Sequence, residues 1–249
     1  MMTRWTIFIP TAYILLVCYF RWNHIGDSVT RGGSRLSDVM SYLIVSEICV
    51  VYLAVVGTMG FFQMYSGWDY GNIFEDNLFG RSPFVEEYLS SPMLAYQIWT
   101  LVFALLYKEF RTVDFLVHHI VTIVITASTF LPIIQYFFLL SGLAEITNVV
   151  LGVYDSFQYL GDVYKTKYAS IYKLVQYSFG TLFIAIRIVY WTYVAIPFFR
   201  RLINVFMTAD DGQFLIGVIF VSCYALTILQ YYWAILIVKK FFIKNKKID

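Results

Sequence analysis

Residues 113–131 read VDFLVHHIVTIVITASTFL. The run is close to the ~20 apolar residues that a helix needs to cross a ~30 Å hydrocarbon layer. It nevertheless carries a carboxylate, Asp114, and the adjacent histidines His118 and His119. Histidine is scarce in this chain, with only three in 249 residues. A titratable pair in an oily helix is expensive, so its neighbours have to explain it.

The surroundings are equally apolar. The chain is 60% hydrophobic and 14% charged, with a mean hydropathy of +0.69, whereas soluble domains carry roughly 25% charged residues. A water-soluble fold of this length has no interior large enough for so much apolar surface, so lipid is the solvent. Cys18, Cys49 and Cys223 all fall in apolar runs and mark no disulfide framework. No Asn-x-Ser/Thr sequon occurs.

Apolar runs near 5–20, 41–63, 93–110, 113–131, 132–156, 171–197 and 213–238 predict an all-α polytopic bundle of about seven transmembrane helices. The domain plan is an N-terminal helix and loop (1–40), a six-helix membrane domain (41–240) and a basic tail (241–249). The first helix has no small-x-small cleavage signal and is expected to be retained. Ser82 followed by Pro83 reads as the start of a short interfacial helix, PFVEEYL. Basic residues set the direction. Arg21, Arg31, Arg35, Lys108, Arg111, Lys165, Lys167, Lys173, Lys239, Lys240, Lys244, Lys246 and Lys247 fall on one side. Arg4, Arg81, Arg200 and Arg201 fall on the other. Thirteen against four predicts a cytosolic C-terminus and a lumenal N-terminus. The tail KNKKID (244–249) resembles the dilysine retrieval signal of endoplasmic reticulum membrane proteins.

With the direction fixed, the ionisable groups concentrate in one half of the membrane. At ~1.5 Å per residue, Glu47, His118 and His119 lie ~9 Å from the cytosolic boundary. Glu145 and Asn148 lie ~13–18 Å deep, and Arg187 is near the middle. On the fourth helix Asp114, His118 and Thr122 share a face. On the fifth, Ser141, Glu145, Asn148, Gly152 and Asp155 form a polar stripe. Glu47, Glu145 and Arg187 would together cost roughly 8–10 kcal/mol if left unpaired against lipid, a sum that rivals the stability of a domain. The arrangement predicts a polar pocket facing the cytosol, with Glu145 as the partner of Arg187.

DFLVHHIVT (114–122), SGLAEITNV (141–149), FIAIRIVYW (183–191) and YSGWDYGNIFEDNLFGRSP (65–83) followed by MLAYQIW (93–99) give the chain a resemblance to the TLC (TRAM–LAG1–CLN8 homology) membrane family. The resemblance covers roughly residues 45–238. Ceramide synthases of that family N-acylate sphingoid bases with acyl-CoA, and their paired histidines are required. The resemblance therefore implies catalytic roles for His118, His119, Glu145 and Asp114, and substrate contacts for Glu47, Asn148, Ser141 and Arg187. It implies acyl-CoA as co-substrate, no bound cofactor, and membrane lipids as partners. Ser141 and Gly142 stand where ceramide synthases have His and Asp, and Gly152 falls near their lysine. The chain is thus closer to the branch that lacks ceramide synthase activity, whose members are tied to membrane lipid composition and transport.

In an acyl transfer, a desolvated imidazole is a suitable base or nucleophile. Asp114, one turn away, is placed to orient His118, and Glu145 to orient His119 or the acceptor. A lipid binder, sensor or transport protein without turnover is the alternative. Adjacent histidines point ~100° apart on a helix, so no metal site is expected. No mid-helix lysine suits a retinal Schiff base, and three histidines are too few for a di-iron centre. No nucleic-acid partner is expected, and an oligomer is compatible with the sequence.

Overall fold

The computed structural model describes residues 2–25, 28, 33–67, 82–131, 134–135, 142–208 and 212–240. Ser141, the acidic loop around 68–81 and the lysines of the tail lie outside the described residues, as do Arg31 and Pro132. In chain order the helices are α1 (Met2–Trp22), α2 (Leu36–Gly67), α3 (Val85–Leu106), α4 (Val113–Ser128), α5 (Glu145–Leu160), the short α6 (Asp162–Lys167), α7 (Ala169–Thr208) and α8 (Gln213–Val238). No β-sheet occurs among the described residues. The protein is an all-α polytopic membrane bundle. Arg4–Trp22, Leu36–Phe62, Val85–Leu106, Ala169–Thr208 and Gln213–Val238 are long and apolar enough to cross a bilayer, and α4 is a shorter apolar helix.

Three departures from the expected spans have physical causes. The segment expected to form a separate interfacial helix is continuous with α3. Pro92 has no N–H to give the turn before it, the turn widens to π spacing over Val85–Ser90, and Ser91 Oγ donates to Glu86 O at 3.0 Å. The helix expected over 132–156 is interrupted by a turn at Leu143–Ala144, so α5 begins at Glu145 with the Ala144 carbonyl turned to other partners. Finally, α7 does not stop near 197. It runs 40 residues through Pro197, carrying Arg200 and Arg201 on a helix rather than a loop. At ~1.5 Å per residue that is about twice the hydrocarbon thickness. Proline is tolerated in membrane helices where neighbours satisfy the freed backbone.

Arg21 joins α1 to the head of α2, its guanidinium donating to both carboxylate oxygens of Asp38 at 2.8–2.9 Å. Tyr107, just past α3, donates to the same carboxylate at 3.5 Å and bonds the Tyr13 hydroxyl at 2.7 Å. Beneath them the Tyr42 and Phe103 rings stack at 3.9 Å.

The approach of α2 to the segment just before α5 is set by glycine. A Cβ added at Gly57 would lie 2.8 Å from the Gly142 backbone, and one at Gly142 would lie 2.7 Å from Gly57. Backbones approach this closely only through small residues. Gly57→Val is expected to destabilise the protein by about 1–3 kcal/mol, read from unfolding in detergent micelles. Wild-type stability in that variant would contradict the close crossing.

Candidate functional site

A cavity of about 580 Å³ lies between α2, α3 and α4 on one side and α5, α7 and α8 on the other. It runs from Tyr42, Tyr159 and Ile237 inward to Gln97 and Arg187. Tyr42, Tyr159 and Ile237 sit at the helix ends that carry Arg21, Lys108, Arg111, Lys165 and Lys240, so the cavity is rooted at the basic end of the bundle. Its size is within the usual ~300–1,000 Å³ of small-molecule sites. Leu43, Val50, Phe115, Leu151, Phe179 and Phe183 give it apolar wall. Glu47, Asp114, His118, His119, Asn148, Asp155 and Arg187 give it polar wall. Of the expected site residues within the described part of the chain, all but Glu145 border this one space. Glu145 borders an adjoining smaller void together with His118 and Arg187.

The histidines are held differently from each other and from expectation. His119 is buried at 5% exposure, and its Nδ1 donates to Gln97 Oε1 of α3. That tautomer leaves the lone pair on Nε2. Glu145 is therefore not the residue that orients His119. The His118 ring stands 5.0 Å from the His119 ring and 5.2 Å, edge to face, from Trp233 of α8. Asp114 does not bond His118 in the structure. Its carboxylate accepts the Trp233 indole N–H at 2.9 Å, so it fixes the indole against which His118 packs.

Arg187 sits in a π-helical stretch of α7, Phe183–Tyr190, at 5% exposure. Such wide turns recur at functional sites. Its Nε donates to Thr147 Oγ1 at 2.7 Å, and its Nη2 donates to Asn148 Oδ1 at 2.9 Å and to Ala144 O at 3.1 Å. Asn148 Nδ2 in turn donates to Glu145 Oε2 at 2.8 Å. The expected pairing of Arg187 with Glu145 is thus bridged by an amide, with no direct ion pair between the two. The helix break before Glu145 supplies one acceptor, and the N-terminus of α5 favours the carboxylate through its dipole.

Nearer the basic end, Glu47 and Asp155 face each other across the α2–α5 contact. Gly152 makes this possible: a Cβ there would collide with Glu47 Oε2. The position that lacks a side chain in the polar stripe is the seat of a carboxylate from another helix. Lys240, at the end of α8, donates to the Tyr154 hydroxyl at 2.5 Å and lies over that ring. Among the described residues no cluster of three or more His, Cys, Asp or Glu is placed to hold a metal ion.

Sequence reasoning missed Gln97, Trp233 and Gln230. A lone Gln inside MLAYQIW and another inside TILQYYW were the available signals, since a side-chain amide in an apolar helix needs a partner.

A bundle of this kind, with a polar-ended chamber sunk among its helices, defines a polytopic integral membrane protein. The model of the TLC domain family matches residues 40–239. The chain belongs to that family, and is a membrane protein of lipid metabolism or sensing. No curated protein matches the chain.

Proposed function

We propose that the protein is an acyltransferase of endoplasmic reticulum lipid metabolism that uses acyl-CoA, with the His118–His119 pair as its reactive centre. The observation that carries the proposal is the convergence of both histidines, three carboxylates and Arg187 from four helices on one cavity with apolar walls. The excess of basic residues at that end of the bundle supports a cytosolic opening by the positive-inside rule, on the side where acyl-CoA is found. The dilysine-like tail supports residence in the endoplasmic reticulum.

In this mechanism the acyl chain lies along the apolar wall. An acceptor hydroxyl or amine attacks the thioester carbonyl while an imidazole Nε2 takes its proton. The C–S bond then breaks, and the CoA thiolate leaves with that proton. Arg187 supplies positive charge to the developing oxyanion in a site of low dielectric. Glu47 and Asp155 hold the polar head of the acceptor. Non-catalytic lipid binding is the second reading. It is favoured by the way His119–Gln97 and Arg187–Asn148–Glu145 are bonded among themselves, as the wall of a binding pocket would be.

The test compares wild type with His118→Ala/His119→Ala in purified form. Transfer from radiolabelled palmitoyl-CoA to lipid is followed, and co-purified lipids are read by mass spectrometry. Turnover lost with the fold retained supports catalysis. An identical lipid profile without turnover in either protein supports the binder.

A further inference from the structure

Beyond the main cavity lies a second void of about 50 Å³, and the two share His118, Gln97 and Arg187 in their walls. Its remaining polar wall is Glu145 of α5, Gln230 of α8 and Thr122 of α4, whose hydroxyl is already spent on the His118 carbonyl. Two residues of this wall each carry a buried polar atom with no hydrogen-bond partner, His118 at Nδ1 and Gln230 at Oε1. Gln230 is 1% exposed. On Glu145, Oε2 is engaged by Asn148, which leaves its second oxygen to accept another donor.

Leaving a buried donor or acceptor unpaired costs about 1–3 kcal/mol, and two such atoms beside one void are unlike a packing accident. The void is polar, and its volume exceeds the ~10–15 Å³ needed to admit one water. Nitrogen, amide oxygen and carboxylate come from three different helices, so packing of those helices builds the site.

We propose that this void is a water site, in which water accepts the His118 Nδ1–H and donates to Gln230 Oε1 and Glu145, making Gln230 a positioning residue for His118. The water fixes the tautomer: with Nδ1 protonated, the lone pair resides on Nε2, the nitrogen that takes the acceptor's proton. His118 then carries the same tautomer that Gln97 imposes on His119. The consequence for turnover rests on the acyl-transfer reading, but the water site does not.

The experiment is solid-state NMR of ¹⁵N-histidine-labelled protein in phospholipid bilayers, with polarisation transferred from water. Only three histidines are present, so His118 is assigned by comparison with His24→Gln and His119→Gln. Wild type is expected to show a protonated Nδ1 on His118 that takes up water polarisation rapidly. Gln230→Leu is expected to lose that transfer and mix the tautomers, and Gln230→Asn, which keeps an amide oxygen, to retain part of it. In the palmitoyl-CoA assay Gln230→Leu lowers kcat on the order of tenfold to a hundredfold, the scale of a misplaced catalytic group, with KM unchanged. A dry His118 in wild type overturns the proposal. So does a Gln230→Leu spectrum identical to wild type. If Gln230→Leu does not fold, Gln230→Asn decides by the same signal. A hydrated Nδ1 in a protein that transfers no acyl group overturns the acyl-transfer reading and leaves the water site standing.

Discussion

Replacing Arg187 by methionine is expected to destabilise the protein by about 3–5 kcal/mol, the cost of breaking a buried charge pair from one side. The guanidinium satisfies Thr147, Asn148 and the Ala144 carbonyl at the break before α5. Without it, Asn148 keeps its bond to Glu145 but loses its own donor, and the Glu145 carboxylate is left uncompensated within the bundle. Arg187→Lys is expected to recover only part of the loss, because an ammonium cannot reach three acceptors with a planar fork. Glu145→Gln combined with Arg187→Met is expected to be less damaging than the sum of the two single changes, since removing both charges removes the desolvation they share. Unfolding by SDS titration in mixed micelles reads wild type and the four variants. Strict additivity would show that the amide bridge carries no coupling between the charges.

The second large effect is on turnover. His118→Ala/His119→Ala is expected to lower palmitoyl transfer at least 10²-fold, since a positioned general base contributes about 10²–10⁴. The double variant loses both imidazoles at once, so neither substitutes for the other. The single variants separate their roles. His119→Ala orphans the Gln97 amide oxygen, leaving that side chain with the hydrogen bond from its Nε2 to Met93 Sδ at 3.3 Å, and is expected to lose stability as well as rate. His118→Ala leaves Asp114 and Trp233 bonded to each other and is expected to lose rate with little change in stability. Loss of stability without loss of rate in both would make the pair a packing device.

The parts of this site that the sequence made legible are the ones that are costly in lipid. A charge or an imidazole inside an apolar run announces itself, which is why His118, His119, Glu145 and Arg187 stood out before any coordinates. What stayed hidden depends on partners across helices. Asp114 lies one turn from His118, yet its carboxylate is bound to an indole from α8, and no spacing along α4 encodes that. Gly152 looked like a missing side chain, and it is space filled by Glu47. The turn at Leu143–Ala144 has no proline or charge to mark it, so the fifth helix read as longer than it is. The apolar run over 171–197 marks only part of α7, and the helix continues through Pro197 to Thr208. Gln97 and Gln230 are neutral and therefore inconspicuous, although Gln97 bonds His119 and Gln230 borders the same void as His118.

The central claim is that an acyl chain lies inside the bundle, beside the paired histidines. The most direct measurement is photo-crosslinking with a diazirine-bearing palmitoyl-CoA in bilayers, followed by peptide mass spectrometry. The account predicts adducts on Phe115, Leu151, Phe179 and Phe183 of the cavity wall, suppressed by excess unlabelled palmitoyl-CoA. Labelling confined to outward-facing residues such as Leu105, Ile120 and Val189, and unaffected by competitor, would contradict it.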